Sequence, residues 1–311
     1  SRLISPPYDV IGPEEKKRLQ EASEYNFVRL VLGDERPGDS DSDNRFTRAA
    51  GFLNQWLGEG AMVEEDAPTL YRLRIGYSVG GARKSLTCLT ALVKIQDYED
   101  GVILPHEKTL RGPKEGLARL IEATSANLDS VWLLYEDNQG KVGRAINEAG
   151  WRPLVEDAAG ADGVKYSLDA CTDPAQIAAV VESLRDETLT IADGHHRYDT
   201  ALAYSRRMDS EHPDAADRPW GWVMATLAWT DDPGLTVLPT HRVLKGLPAE
   251  ALTAIRDRLA GRFDFTCCSP GELAAALDGA GESAFAACGA AGNWLAVPKH
   301  PVDALGAELL Q

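Results

Sequence analysis

Apolar positions along this chain recur in two periods, and the two kinds of segment alternate. Phe46, Ala49, Ala50, Leu53 and Leu57 repeat at helical spacing, which predicts an amphipathic helix there. An earlier helix opens at Pro13, a residue suited to a first turn, where its missing N–H would have no partner in any case. Helical patterns return over residues 113–124 and 142–149, and again after Asp173-Pro174, with Ile177, Val181 and Leu184 as the apolar stripe. Period-two alternation runs through "LYRLRIGYSV", breaks at Gly80-Gly81 and resumes in "KSLTCLTALVKI", which predicts a β-hairpin. Apolar runs at residues 26–32, 131–135, 164–167, 189–191 and 221–230 read as further strands. Over residues 248–311 a helix, a strand, a second helix and a hairpin around Gly289 and Gly292 follow.

This order predicts an α+β fold, with mixed sheets and hairpins, and not a doubly wound sheet. Three regions suggest themselves: an N-terminal α+β region (1–100), a central region (101–247) and a C-terminal α+β region (248–311).

Composition narrows the function. The 311 residues carry a net charge of −16, and such a surface repels nucleic-acid phosphate and anionic lipid. No Lys/Arg run counters it, and neither an apolar window of membrane length nor a charged-then-apolar leader is present. The expectation is a cytoplasmic protein that binds small molecules, without nucleic acid or membrane as partner; oligomeric state is left open. Five cysteines without CxxC spacing read as free thiols.

Four motif fragments fail on detail. "GGARKS" has Arg83 where a P-loop needs glycine, and it sits on the hairpin turn. "GAGESA" follows a helix and not a strand, against a dinucleotide site. Asp39, Asp41 and Asp43 alternate like a calcium loop, but Asn44 and Ala50 occupy the glycine and glutamate positions that loop requires. His106-Glu107 would begin a zinc-protease motif whose second histidine is Leu110 here.

The chemistry concentrates in "LTIADGHHRYDTALAY". Leu189, Thr190 and Ile191 form a strand, and Tyr198, Ala201, Leu202 and Ser205 recur at helical spacing, so Asp193 to Arg197 occupy the turn between them. A helix N-terminus offers free N–H groups and the positive end of the dipole. Gly194 would let an anion approach the backbone, while His195, His196 and Arg197 add donors. Adjacent histidines on one helix point about 100° apart, which disfavours a two-histidine metal site. The competing reading is an Asp193 N-cap followed by a solvated first turn, but cations there oppose the dipole. Phosphate binding is the expectation.

"ADGHHR" before an amphipathic helix resembles the phosphate-binding motif of the ParB/sulfiredoxin superfamily, especially its free-serine kinases. The chain as a whole resembles an uncharacterised bacterial and archaeal family through "SPPYDVI", "NFVRL", "LPHEKTL", "GPKEGLARL", "IADGHHRYDTAL" and "LPTHRVL". One departure is Gly116-Leu117, where members of that family carry Asp-Arg. The superfamily resemblance implies a strand–turn–helix phosphate site and phosphoryl transfer to the hydroxyl of free L-serine. Pyrophosphate and a nucleotide are both open as donor.

Such a transfer needs charge neutralisation, a carboxylate for a metal and a base. Arg197, His195 and His196, with Lys108, Arg111 or Lys114, would neutralise phosphate. Asp193 would hold Mg²⁺ or orient the acceptor, and Glu107 is a base candidate or else a surface carboxylate. Tyr8-Asp9 would line the pocket or form a turn. Asn26 and Arg29 would pair a substrate carboxylate or belong to a structural ion pair. Thr240, His241 and Arg242 would contribute from the loop after Pro239. The rival functions are a non-catalytic nucleotide-binding regulatory module of ParB-like type and a phosphate-ester hydrolase.

Overall fold

The computed structural model describes residues 2–106, 112–160, 163–238, 241, 243–246, 248–281, 283–289 and 292–300; the side chains of residues 112–114, 249 and 252 lie outside this description. The chain divides into two compact units, Ser1–Val237 and Leu238–Gln311.

The first unit opens with three helices, α1 (Pro13–Ala22), α2 (Val28–Val31) and α3 (Arg45–Gly58), and then the hairpin of β1 (Leu70–Val79) and β2 (Ala82–Lys94). There follow β3 (Ile103–Leu104), α4 (Gly112–Thr124), β4 (Val131–Tyr135), α5 (Lys141–Glu148), β5 (Arg152–Ala159), β6 (Lys165–Cys171), α6 (Pro174–Leu184), β7 (Leu189–Asp193), α7 (His195–Glu211) and β8 (Trp222–Trp229). The strands form one eight-stranded sheet in the order β3-β7-β4-β8-β2-β1-β6-β5. Pairing is parallel between β3 and β7 and between β4 and β8, and antiparallel between β7 and β4. The second unit holds α8 (Ala249–Leu259), β9 (Phe263–Cys267), α9 (Leu273–Gly279) and the hairpin of β10 (Phe285–Gly289) and β11 (Gly292–Pro298), with β11 also pairing β9. A mixed sheet in the first unit and a small antiparallel sheet in the second make the fold α+β. Sequence regions 1–100 and 101–247 supply strands to the same sheet, so together they build one unit, not two.

Val131, Leu133 and Tyr135 alternate inward along β4 and meet Ile191 of β7 and Leu227 of β8 in the main core. Val142 and Ile146 of α5, Val180 of α6, and Tyr198 and Ala201 of α7 cover that face. A smaller cluster on Leu86, Cys88 and Ala228 includes Trp132, Leu134 and Leu235. Gly234 lets the segment after β8 press on β2: a Cβ there would lie 2.1 Å from the Ser85 carbonyl oxygen. Tyr198 fixes α7. It is fully buried, and its hydroxyl donates to the Gln96 carbonyl at 2.8 Å and accepts from the Gln96 N–H at 3.0 Å.

The structure departs from the periodicity in three places. Residues 26–32, expected as a strand, contain the helical turn α2 instead. The Asn26 Oδ1 accepts from the Val28 N–H at 3.0 Å, and this local bond bends the backbone out of the extended form that the valines would prefer. Strand β5 has no apolar signature because seven of its eight residues are exposed; it lies at the sheet edge, where Pro153 and irregular register are tolerated. In α3 and α6 the buried stripe runs through Trp56 and Val180, leaving Leu57 and Val181 exposed. One residue is about 100° of rotation on a helix, enough to turn a side chain from core to solvent.

Asn26 and Arg29 therefore have structural roles in place of the substrate-carboxylate role. Asn26 is 0% exposed, and its Nδ2 donates to the Arg2 and Ile4 carbonyls at 2.9 and 3.3 Å, tying down the N-terminal segment. Arg29 donates to the Gln20 carbonyl at 2.8 Å and lies over the Phe52 ring. Asn26→Ala removes three buried hydrogen bonds and should cost about 2–4 kcal/mol in denaturant unfolding. An Asn26→Ala protein of unchanged stability with lost ligand binding would return the residue to the site.

Candidate functional site

Strand β7 ends at Asp193, Gly194 turns the chain, and α7 begins at His195. Gly194 has φ +90°, a conformation that disfavours any side chain. It also N-caps α7 and provides no side-chain acceptor, so the first N–H groups of this 17-residue helix are without a side-chain cap. Asp193 does not cap the helix: it is the last residue of β7, its side chain is 71% exposed, and it accepts an ion pair from Arg197.

Arg197 is the organising residue. One guanidinium nitrogen pairs with Asp129 at 2.8 Å and donates to the Ser130 carbonyl; the other pairs with Asp193. The guanidinium folds back over the turn, and a Cβ on Gly194 would lie 2.9 Å from its Nε. Arg197 thus occupies the close approach that the sequence reading reserved for an anion. Asp129 and Ser130 escaped that reading because their relevance depends on register. Trp132 of β4 pairs with Asp193 of the antiparallel β7, so the residues entering β4 reach the end of β7. Nothing local to "NLDSVW" announces this.

The two histidines diverge, as their 100° offset requires. His195 is buried and stands edge-on to His106 with ring centroids 4.5 Å apart. The His106 N–H donates to its Nε2 at 3.3 Å. His106 in turn donates from Nδ1 to the Ile191 carbonyl at 2.5 Å. The "LPHEKTL" block thus reaches the turn through His106, set aside above as part of a failed zinc motif. His196 turns the other way: its Nδ1 is buried and finds no hydrogen-bond partner among the described residues.

Tyr8 and Asp9 join the same place. With Pro7, Val10 and Asp129 they wall a pocket of about 370 Å³, completed by Asp193 to Arg197. The Tyr8 phenol is held above its ordinary value, first by burial and then by the Asp9 carboxylate. Burial likewise lifts the Asp129 carboxyl; Arg197 pulls it back, and Asp193 and Asp9 add to the rise. Three carboxylates around one guanidinium make the lining acidic.

His241 is exposed in the second unit, and Glu107, Lys108, Arg111, Thr240 and Arg242 lie outside the described residues. Lys114 lies on α4, its side chain outside the description. Among the described residues no group of three or more His, Cys, Asp or Glu is arranged to hold a metal ion. None of the described helices is long and apolar enough to cross a membrane.

Arg197→Ala should lower stability by about 1–3 kcal/mol through loss of its charged hydrogen bonds, against the neutral or favourable effect that a bare cation at a helix N-terminus implies. Without Arg197 the Asp129 carboxyl rises further. A folded-state pKa above the unfolded one gives stability that is present at low pH and lost as pH rises through the folded pKa. The deficit of Arg197→Ala against the parent should therefore be largest near neutrality and shrink on acidification through the carboxylate range. Chemical denaturation between about pH 4 and pH 7 checks this; a deficit independent of pH would contradict it.

No curated protein and no solved structure matches the chain. A family model does, over residues 1–306, and its description is "Protein of unknown function (DUF1015)". A match over nearly the whole length settles membership: the chain belongs to the DUF1015 family.

Proposed function

We propose that the pocket at the β7–α7 turn is the active site of a small-molecule kinase that transfers a phosphoryl group from pyrophosphate or a nucleotide to the hydroxyl of free L-serine. The observation that carries this reading is His196: a buried ring nitrogen with no hydrogen-bond partner among the described residues, beside helix N–H groups with no side-chain cap, in a pocket that also holds carboxylates. A buried polar atom without a partner is costly, and a phosphate oxygen would satisfy this one. The resemblance of "ADGHHR" to the ParB/sulfiredoxin phosphate motif points the same way.

On this proposal the residues divide the labour. The N–H groups of His195 and His196 would receive phosphate oxygens, with His196 Nδ1 as a further donor when protonated there. Arg197, already balanced by Asp129 and Asp193, holds the turn in shape and is a positioning residue. Asp9 is exposed at the pocket wall and makes no ion pair among the described residues, so it would serve as the base for the acceptor hydroxyl. The acceptor oxygen would bond to phosphorus as the bond to the bridging oxygen of the donor breaks, with the hydroxyl proton passing to the Asp9 carboxylate. An acidic lining repels bare phosphate, and Mg²⁺ would supply the compensating charge when bound. One carboxylate with substrate phosphate suffices for it, and Asp193 would hold it.

Purified protein with Mg²⁺, L-serine and pyrophosphate, ADP, ATP or CTP should yield O-phosphoserine by mass spectrometry. EDTA should abolish the product and added Mg²⁺ restore it. Tight nucleotide binding without product would favour the regulatory-module reading, and free phosphate alone the hydrolase. His196→Ala should cut turnover by about 10–10². Its melting temperature should barely move, because no hydrogen bond is lost. Wild-type turnover in His196→Ala would overturn the proposal.

A further inference from the structure

A second cavity of about 360 Å³ adjoins the polar pocket, sharing Tyr8, Asp129 and Arg197 with it. Leu30, Leu117, Leu120, Ile121 and Leu128 give it an apolar lining. Free serine and inorganic phosphate have no apolar surface to place there. A cavity of this size and lining suits a compact organic body, with the few polar groups on its wall fixing orientation.

Two such groups stand out. Thr200 on α7 is 6% exposed, and its hydroxyl is buried without a hydrogen-bond partner among the described residues. A helical threonine ordinarily returns its hydroxyl to a carbonyl one turn back; this one does not, and it lines the cavity. Arg45 is the other. Its side chain is 30% exposed and stacks on Phe46, and its ion pair is a 3.4 Å contact with the well-exposed Glu35. Arg197 is balanced by two carboxylates, so Arg45 carries the cavity's least compensated positive charge among the described residues.

We infer that this cavity binds a small carboxylate with a branched aliphatic or aromatic body: the apolar residues enclose the body, Arg45 meets the carboxylate, and the Thr200 hydroxyl bonds a second polar group on the ligand. The inference goes beyond the kinase reading and does not depend on it, since it concerns binding without a phosphoryl donor.

Calorimetry with 4-methyl-2-oxopentanoate and phenylpyruvate tests it, with L-serine and adenosine as comparisons. At least one oxo acid should bind, and both comparisons should bind more weakly. Thr200→Val keeps the shape and removes the hydroxyl, so it should weaken the oxo acid about 5- to 10-fold. In the absence of ligand its melting temperature should hold or rise, because an unpaired buried hydroxyl has gone. Thr200→Ser should restore much of the affinity, and Arg45→Gln should weaken binding about tenfold or more. The inference is overturned if neither oxo acid binds, if Thr200→Val binds as the parent does, or if adenosine is the ligand whose affinity depends on Thr200. A sharp fall in the melting temperature of unliganded Thr200→Val would overturn it too, by showing that the hydroxyl has a structural bond.

Discussion

The arrangement of this site depends on one cation. Arg197 draws together the end of β7 through Asp193, the entry to β4 through Asp129 and the Ser130 carbonyl, and its own helix. It can do so because Gly194 has no side chain where the guanidinium lies and adopts a backbone conformation that other residues avoid. The Arg197–Asp129 pair is partly buried, so it is worth more than a surface ion pair and leaves a partly desolvated carboxylate behind when broken, whereas the Asp193 partner is largely exposed. With the turn fixed this way, His195 and His196 at the start of α7 line the pocket.

That constraint also divides the roles within "DGHHR". The five residues do three different things. Asp193, Gly194 and Arg197 build the turn, His195 accepts from the His106 backbone, and His196 keeps a nitrogen without a hydrogen-bond partner among the described residues. A cluster read as uniformly cationic proves to hold one compensated guanidinium amid carboxylates. On the proposed reading, the pocket would take an anion that arrives with its own counter-charge, more than an isolated phosphate.

Legibility in the sequence followed the range of the interaction. The hairpin of β1 and β2, the helix after Asp173-Pro174 and the β7–α7 junction depend on local periodicity and turn residues, and each forms where those signals stand. Strand β5 carries no apolar signal because it lies exposed at an edge, and at α2 a local Asn26 side-chain bond accompanies a helical turn where the apolar pattern reads as a strand. The site shows the same division. Asp193 to Arg197 were visible as a contiguous block, and Tyr8-Asp9 as a rigid Pro-Pro neighbour. Asp129, Ser130, His106 and Thr200 were not, because strand register and helix packing across long separations bring them in.

The central claim is that an anion sits at the N-terminus of α7 against His196. The most direct measurement is a heteronuclear NMR titration of the full chain with magnesium pyrophosphate, following the backbone amides of His195 and His196 and the imidazole nitrogens of His196. The account predicts saturable shifts of those amides and a change at His196 Nδ1, with the His195 ring, held by His106, shifting little. Signals that stay unmoved at the turn, or that move only for His195, would contradict it.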